Sequence, residues 1–452
     1  MMTAIKLKSF IYKPEHIAPL AFFRIAFGAV LFISSLRFIA HGWIKDFYIT
    51  PRFHFPFYGF EWITALSPTG MYTLYGCMVL GAFMICAGWY YRVGVILFLL
   101  SFVYAEMIDK TYYLNHYYLV SVIVLLLCFV PANRYFSLDI LRKPSLKRTQ
   151  IPAWAINIFK LQLAIIYLYA AFSKMNADWL IHAMPLKIWL PANQFMPVIG
   201  KFLAMPATAV IFSWCGMSFD LSIVFLLLNR NTRIFGYIFV IIFHLLTAVL
   251  FQIGMFPYIM LAATTIFFSD RFHMRMLNGL SALIPSLRRT DIPQNYISSG
   301  LFKKTGIIFF AVYFFLQLLV PIRFLLYPGK LLWTEEGYRF SWRVMLMEKG
   351  GTTFFHIVDS ASGKRIEVNN RDFLTGYQER MMETQPDMML QYAKILQKEF
   401  AKTSIPHAGV QVESYVTLNG SGSRLFIDSS VNLAAQKESL FGHKKWILPY
   451  QR

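Results

Sequence analysis

The stretch AWAINIFKLQLAIIYLYAAFS, residues 153–173, is a run of mainly apolar residues with one charged side chain, Lys160. About 20 such residues suffice for a helix to cross the hydrocarbon core of a bilayer, so the run predicts a membrane-spanning helix. It ends on Lys174, which is followed by MNADWL at 175–180. An amine at the end of a spanning helix, with polar residues directly behind it, has to be explained by either lipid or a ligand.

The composition of the whole chain is that of a membrane protein. The 452 residues are 57% hydrophobic, 17% aromatic and only 15% charged, and the mean hydropathy is +0.50; these values are foreign to a soluble domain of this length. The net charge of +20 would favour nucleic acid as a partner of a soluble protein. Here the basic residues form short clusters between apolar segments, so they indicate orientation in a lipid bilayer and no nucleic-acid partner is predicted.

Nine segments have the length and composition of spanning helices. They are residues 18–40, 71–90, 92–107, 117–132, 153–173, 205–228, 233–252, 255–269 and 306–327. An odd number of spans places the two termini on opposite sides of the membrane. The predicted fold class is a membrane α-helical protein of about nine transmembrane helices followed by a small extracytoplasmic α+β domain, divided as residues 1–328 and 329–452.

The basic clusters decide the orientation, because short cytoplasmic loops are enriched in Lys and Arg. They fall in alternate loops: Lys6, Lys8 and Lys13; Arg92; Arg134, Arg142, Lys143, Lys147 and Arg148; Arg230 and Arg233; Arg271 to Arg289 with Lys303 and Lys304. The N-terminus is therefore predicted to be cytoplasmic. The loops 41–70, 108–116, 174–204 and 253–254 and the C-terminal domain are predicted to face outward.

Two further features concern the compartment. The N-terminal residues MMTAIKLKSFIYKPEH do not resemble a cleavable signal peptide. The four cysteines lie in apolar runs, without a CxxC motif or a histidine at metal-ligand spacing, so we predict no disulfide framework and no metal site. Few cysteines and compact loops favour a bacterial plasma membrane.

After Pro328 the pattern changes to that of a small mixed domain. TFFHIV (353–358) and RIEV (365–368) flank the turn DSASGK, and VQVESYVTL (410–418) and RLFID (424–428) flank NGSG. MMLQYAKILQKEF (388–400) has helical spacing. We therefore expect two pairs of strands and a helix. Trp342 and Met345 form part of an apolar stripe just before them, which a strand core would also explain.

Polar residues collect at the predicted outer ends of the helices, with Asp109, Lys110, Asn115 and His116 in one loop and Lys174 in another. Lys174 shares a helix face with Tyr167, Ala170 and Ala171, and the two alanines leave room for a flat ligand. A poorly hydrated amine can act as a base. The alternatives are a lysine that snorkels to the headgroups and a polar helix start at Asn115 and His116.

Two ionisable residues lie in the middle of spanning segments, His244 in IIFHLLTAVLF and Asp220 in WCGMSFDLSIVF. A polar group at that depth costs several kcal/mol unless it is paired, so each is a candidate functional residue. The alternative for both is an interhelical hydrogen bond that holds the bundle together.

The ordered fragments IDKTYYLNHYYL, FSKMNADWL, FHLLTAVLFQIGMFPYIMLA and YRFSWRVML resemble the vitamin K-dependent γ-glutamyl carboxylase family, including bacterial members with the same transmembrane domain. The resemblance extends from LAFFRIAFG to FIDSSVNLA. It implies a multi-pass membrane enzyme in which a lysine base deprotonates vitamin K hydroquinone, dioxygen converts the quinol to the epoxide through a strongly basic intermediate, that base removes a γ-proton from a peptide glutamate, and carbon dioxide adds.

On this resemblance the lysine falls on Lys174, the histidine that assists carboxylation on His116, and a second membrane histidine on His244. The segment Tyr338 to Met347 faces the glutamate, and the pocket residues include Asn115, Tyr338, Ser341, Trp342 and Met345. The implied substrates are vitamin K hydroquinone or menaquinol, dioxygen and carbon dioxide, with no metal. The implied partners are the lipid bilayer, a quinone and a glutamate-containing peptide or protein.

One position departs from the family pattern, because the animal enzymes end this segment with a histidine and the present chain has Met347. The prediction is therefore an enzyme that oxygenates the quinol, and coupled carboxylation stays open at this point. The alternative is a non-catalytic membrane protein that binds a quinone or lipid and engages a partner through its outer domain. A transporter is disfavoured, because the charges gather at one face and do not line a path through the bundle.

Overall fold

The structure is a computed structural model that describes residues 11–251, 253–282, 300–359, 362–403, 405 and 408–451. The predicted basic clusters at Lys6 and Lys8 and at residues 283–299, and residues 360–361 of the turn DSASGK, lie outside this part of the chain. The main helices are α1 Ala18–Ala40, α2 Pro68–Ala87, α3 Tyr91–Ile108, α4 Asn115–Leu127, α5 Trp154–Lys174, α6 Pro206–Leu228, α7 Arg233–Phe251, α8 Phe256–Thr264, α9 Asp270–Ser281, α10 Gly300–Leu319, α11 Gly376–Met382 and α12 Pro386–Thr403.

Each of the nine predicted spans corresponds to a helix. Within the described residues, seven helices are long and apolar enough to cross a membrane, namely α1, α2, α3, α5, α6, α7 and α10 with the turn that continues it. The other two, α4 and α8, are apolar but shorter. Helix α8 is followed by the 3₁₀ turn Thr265–Phe267, and the Ser269 hydroxyl then accepts a bond from the Phe272 amide to begin α9. The predicted membrane-helical fold class is confirmed.

A buried arginine ties the end of α2 to its neighbours. Arg24, on α1, is fully buried and donates to the carbonyls of Ile85 and Cys86 in the last turn of α2, at 2.8 and 2.5 Å. It also donates to the carbonyls of Ala132 and Phe136, at 3.1 and 2.5 Å. The Ile85 carbonyl also accepts from the Gly88 amide at 3.2 Å. Because carbonyls at the C-terminus of a helix lack the partners of its interior, Arg24 supplies donors that these buried groups need.

Helix α2 ends at Gly88 for a steric reason. Gly88 has a φ of +64°, and a Cβ atom there would lie 2.4 Å from the Ser137 side chain and 2.8 Å from the Arg24 guanidinium. Only glycine fits the left-handed conformation and the close approach together. At the same end of the bundle, β1 Pro14–His16 pairs antiparallel with β2 Gln150–Pro152.

The C-terminal domain is a four-stranded antiparallel sheet with helices. The strands are β3 Lys349–Asp359, β4 Arg365–Val368, β5 Ala408–Leu418 and β6 Arg424–Leu425, in the spatial order β4-β3-β5-β6. Strands β3 and β5 pair along their whole length, from Lys349 opposite Leu418 to Asp359 opposite Ala408. Helix α12 carries a row of fully buried residues that includes Met388, Tyr392 and Leu396 in the core of this domain. The predicted strand pairs and helix are confirmed.

Ion pairs fasten this domain to the bundle. The Nζ atom of the buried Lys110 lies 2.8 Å from Oδ2 of Asp387. Asp387 also pairs with Arg339, whose Nη1 lies 2.6 Å from the same oxygen. Burial by itself raises the pKa of Asp387, but the guanidinium and the ammonium more than offset this and hold the pKa well below its usual range. The neighbouring Asp109 accepts a bond of 3.0 Å from Gln378. Asp109 and Lys110 therefore join the two parts of the fold and do not enter a ligand site.

The loops that were predicted to face outward lie at the end of the bundle that carries the sheet domain. Arg52, in the first of them, pairs with Glu399 at 2.6 Å, and Asp178, in the third, pairs with Lys330 at 2.6 Å. The Trp189 indole also donates to Glu348. The second core of the protein accordingly contains Trp179, Leu186 and Leu190 together with the residues of the sheet domain.

Candidate functional site

Lys174 lies at the end of α5, and its side chain is buried inside the protein. It is 6% exposed, and its Nζ donates to Oδ2 of Asp220 on α6 at 2.7 Å. Its Nζ also lies 5.4 Å from the centre of the Trp179 ring. The alternative of a lysine that snorkels to the headgroups is therefore wrong. The alternative for Asp220 was an interhelical hydrogen bond, and Asp220 makes that bond with the Lys174 amine.

The residues after Lys174 set the position of its neighbours. Asn176 ends α5 by donating to the Ser173 carbonyl at 2.8 Å, and its side-chain oxygen accepts from the Trp179 amide at 3.0 Å. This bond caps the short helix Ala177–Leu180. The Trp179 indole then donates to the Ser213 carbonyl of α6 at 2.8 Å. The polar stretch behind Lys174 thus folds back so that Trp179 covers the amine.

Lys174 and Asp220 lie in the wall of a cavity of about 290 Å³, which we call the lysine cavity. Its other lining residues are mainly apolar and include Ile166, Ala170, Phe212, Gly216, Phe243, Leu246, Phe251 and Met260. His244 also lines the cavity, and its Nε2 lies 3.1 Å from the Tyr167 hydroxyl on α5. His244 therefore makes the interhelical bond proposed as its alternative and faces the cavity as well. An apolar pocket with a few convergent polar groups is typical of a small-molecule site.

The lysine cavity opens at the outer surface of the bundle. Ile211 and Cys215, on α6, line it and are also exposed, Ile211 to 59%. On helices that cross a bilayer, such residues contact lipid. An apolar ligand dissolved in the membrane can therefore reach the amine without crossing water.

His116 lines a second and larger cavity of about 1270 Å³, which we call the histidine cavity. Asn115 and Tyr338 line it as well. The Asn115 amide donates to the Arg343 carbonyl at 2.6 Å, and its oxygen accepts from the Tyr113 hydroxyl at 3.0 Å. Asn115 thus clamps the segment after Tyr338 onto the start of α4.

A thin wall separates the two cavities. Four residues line both of them: Ile253, Phe256, Val344 and Met345. The Phe256 ring lies 5.8 Å from the His116 ring on one side and 5.8 Å from the His244 ring on the other. Lys174 and His116 are therefore placed in adjacent chambers with one layer of side chains between them.

Two of the four wall residues, Val344 and Met345, come from an irregular segment with a strained backbone. Phe340, Trp342 and Met345 have φ values of +59°, +57° and +58°, a region that residues other than glycine rarely occupy. Such strain costs on the order of 1–3 kcal/mol per residue and is concentrated at functional sites. A strand core was the alternative explanation for the apolar stripe that contains Trp342 and Met345. It is wrong, because β3 begins only at Lys349.

Ser341 and Trp342 line neither of these two cavities. Both are about 1% exposed; the Ser341 hydroxyl donates to the Tyr338 carbonyl, and Trp342 stacks on Tyr118 with ring centres 4.7 Å apart. The turns at residues 340 and 342 direct these side chains into the protein. The Ser341 and Trp342 side chains therefore stabilise the segment 338–347, whereas the Met345 side chain lines both cavities.

Sequence reasoning missed three charged residues of the histidine cavity, Arg37, Glu106 and Arg343. For the first two a signal exists, because each is an ionisable residue near the outer end of an apolar segment. Arg343 gives no such signal, because arginines are common in soluble domains. Its position beside the histidine cavity depends on the path of the irregular segment 338–347.

The fold is that of a multi-pass membrane protein with two cavities at the border between its helices and an outer domain. Two family models match the chain: the HTTM domain over residues 12–272, more than half of the chain, and the lumenal domain of vitamin K-dependent gamma-carboxylase over residues 302–452. No solved structure matches it. The chain belongs to the vitamin K-dependent gamma-carboxylase family. Membership supports a carboxylase-type function that uses vitamin K and an extracytoplasmic C-terminal domain.

Proposed function

We propose that this protein oxygenates vitamin K hydroquinone, or menaquinol, in the lysine cavity, with Lys174 as the base. The observation that carries the proposal is the buried Lys174 amine, 2.7 Å from Asp220, in the wall of an otherwise apolar cavity that opens on the outer surface of the bundle. A naphthoquinol is flat and apolar and resides in lipid. It fits such a cavity, and its two hydroxyl groups are the acidic groups that it can bring to the amine.

The Asp220 carboxylate changes the proton balance that an isolated amine would have. An ammonium in an ion pair has no free electron pair, so it accepts a proton only after it has lost one. Transfer of one proton across the 2.7 Å hydrogen bond to Asp220 gives a neutral amine and a neutral carboxylic acid. Burial disfavours both charges of the pair, which lowers the cost of this transfer. The amine then accepts the proton of the quinol hydroxyl.

Oxidation of the quinol supplies the electrons for the reaction. One oxygen atom of dioxygen enters the epoxide and the other leaves as water. The quinol supplies all four electrons, two in its oxidation to the level of the quinone and two in the epoxidation, and its two hydroxyl protons end in the water. The strongly basic oxygenated intermediate requires a site from which water is excluded. The apolar residues around Lys174, and the Trp179 ring that covers it, support such a role.

Coupled carboxylation of a peptide glutamate would use the histidine cavity. His116 lies there, one layer of side chains from the lysine cavity. The γ-proton of glutamate would pass to the oxygenated base after a side chain of the separating layer, such as Met345, has moved aside, and carbon dioxide would add to the carbanion. Met347 lines neither cavity, so the methionine at the position of the family histidine leaves this arrangement of His116 unchanged.

The orientation is part of the proposal. The N-terminus is cytoplasmic, residues 1–328 span the membrane, and residues 329–452 form the extracytoplasmic domain, in a bacterial plasma membrane. The alternate basic clusters support it. In this orientation a peptide reaches the histidine cavity from outside the cell and the quinol reaches the lysine cavity from the bilayer.

The test is an assay of the purified protein in detergent with reduced vitamin K and dioxygen. We expect the epoxide to form at a rate that depends on protein concentration and to be absent under nitrogen. Adding a glutamate-containing peptide and labelled bicarbonate then measures carboxylation separately. A protein that binds the quinol, for example by quenching of its tryptophan fluorescence, and forms no epoxide would refute the enzyme and favour the non-catalytic binder.

Filling the lysine cavity should weaken quinol binding. Gly216 lines this cavity, and a Cβ there would lie at an ordinary contact distance of 3.7 Å from the Trp179 ring. We expect Gly216→Leu to raise the KM for the quinol about tenfold or more with little change in melting temperature, because the added side chain occupies ligand space. The measurement is the rate of epoxide formation as a function of quinol concentration.

The matched control for this variant is Gly76→Leu on α2, where a Cβ meets no atom within 4 Å. This substitution adds the same side chain to another membrane helix and should leave the KM within twofold of the wild-type value. A KM equally unchanged in Gly216→Leu, with the variant folded, would show that the quinol binds elsewhere.

A further inference from the structure

Arg343 carries a positive charge that no acidic side chain in the described part of the chain neutralises. Within the described part of the chain no carboxylate lies within ion-pair distance of its guanidinium, and its Nε makes no hydrogen bond. The guanidinium stacks on the Phe324 ring, 4.3 Å from its centre. Burial lowers the pKa of Arg343, but an arginine keeps its charge at neutral pH. A partly buried, unpaired cation is costly, so an anionic partner from outside the chain would stabilise it.

The charges around Arg343 favour an anion in the histidine cavity. Arg37 and Glu106 also line this cavity, and the described residues give neither of them an ion-pair partner. The Arg37 guanidinium stacks on Trp43, 4.9 Å from the ring centre. Two arginines and one glutamate therefore line the cavity, and His116 adds no negative charge. The excess of positive charge attracts a carboxylate more strongly than a neutral amide of the same size.

Hydrogen bonds to the backbone hold Arg343 beside the wall between the cavities. Its carbonyl accepts from the Asn115 amide at 2.6 Å and from the Tyr338 hydroxyl at 3.5 Å. The next two residues, Val344 and Met345, line both cavities. A group bound to the guanidinium would therefore lie close to the layer that separates it from Lys174.

We propose that Arg343 is the carboxylate receptor of the histidine cavity and selects a substrate with an acidic side chain over its amide counterpart. The planar guanidinium can bind both oxygens of a carboxylate through two parallel hydrogen bonds. For a glutamate substrate this holds the γ-carbon one bond from the anchored group and beside the wall.

The chemical consequence rests on the proposed function. When the γ-C–H bond breaks, its proton passes to the oxygenated quinol-derived base and its electron pair stays on the γ-carbon. That charge spreads into the neighbouring carboxylate, where the Arg343 guanidinium stabilises it. A new C–C bond to carbon dioxide then consumes the electron pair. Binding itself requires neither quinol nor dioxygen.

The experiment measures binding without turnover. A fluorescent pentapeptide with one central glutamate, and the same peptide with glutamine, are titrated into the purified full-length protein in detergent without quinol, and the Kd values are obtained from anisotropy. We expect the wild type to bind the glutamate peptide at least about tenfold more tightly. Arg343→Gln should remove this preference. Arg343→Lys keeps the charge but cannot form two parallel hydrogen bonds with a carboxylate, so it should keep part of the preference.

Arg424→Gln is the matched control, because Arg424 also stacks on an aromatic ring, 5.2 Å from the centre of Tyr450, and does not line the histidine cavity. It should keep the full preference. Equal wild-type affinity for the two peptides would overturn the proposal, and so would a preference that survives in Arg343→Gln but is lost in Arg37→Gln.

Epoxide formation without peptide separates the two proposals. The melting temperature of Arg343→Gln reports whether this variant is folded; Arg343→Lys provides the second variant if it is not. A wild-type protein that prefers the glutamate peptide and forms no epoxide would refute the quinol chemistry and leave Arg343 as the receptor. A wild-type protein that forms epoxide and binds both peptides equally would refute Arg343 as the receptor and leave the quinol chemistry in place.

Discussion

Replacing Lys174 by methionine is expected to lower the rate of epoxide formation by about 10²- to 10⁴-fold, the range that a positioned general base contributes. Methionine nearly matches the length of lysine and suits the apolar wall, so the lysine cavity should keep its shape. What is lost is the amine that takes the quinol proton. The measurement is the initial rate at saturating quinol, with the melting temperature of each variant as a check on folding.

Asp220 needs its own control in this experiment, because Lys174→Met leaves a buried carboxyl group without its cation. The double variant Lys174→Met/Asp220→Asn removes both charges and should be as inactive as the single variant but more stable. Lys160→Met changes another lysine of α5 that lines neither cavity and should keep wild-type activity. Activity within tenfold of wild type in both Lys174 variants would rule out this lysine as the base.

Replacing Arg24 by leucine is expected to destabilise the whole helix bundle, by on the order of 3 kcal/mol or more. The guanidinium donates to four backbone carbonyls, of which only that of Ile85 keeps a second donor, the Gly88 amide, among the described residues. Each buried acceptor left unsatisfied costs roughly 1–3 kcal/mol. In lipid, no water replaces the lost donors. The measurement is the thermal unfolding midpoint in detergent, together with the yield of folded protein.

Two control variants show whether the loss of stability in Arg24→Leu comes from the lost hydrogen bonds. Arg24→Lys keeps the charge but has a single terminal nitrogen, so it should recover only part of the stability. Arg271→Leu removes a solvent-exposed arginine at the start of α9 and should change stability by no more than about 0.5 kcal/mol. A melting temperature of Arg24→Leu equal to that of Arg271→Leu would show that the four hydrogen bonds contribute nothing net.

Much of the fold could be predicted because a bilayer imposes length and polarity on each segment separately. The nine apolar runs were located from composition alone, and each proved to be a helix. The ends were less certain, since they depend on neighbours. Gly88 ends α2 where the approach of Ser137 and Arg24 leaves no room for a side chain, and α8 ends early at a 3₁₀ turn.

The candidate site was predicted in part for the same reason. Lys174, His116 and His244 stand out because a polar group in a membrane segment is costly and therefore conspicuous. Their grouping could not be predicted. That Asp220 meets Lys174, and that His116 lies across a wall from it, follows from how α5, α6 and α8 pack against the segment 338–347.

By itself the sequence determined which segments enter the lipid, where the outer domain begins its strands, and which ionisable residues lie at membrane depth. Each of these follows from the transfer of individual side chains between water and hydrocarbon, a local property. Only the tertiary structure decided that the amine has a carboxylate partner and that Arg343, in an irregular segment, has none among the residues that the structure describes. Pairing is a matter of distances between residues far apart in the chain, which local polarity does not specify.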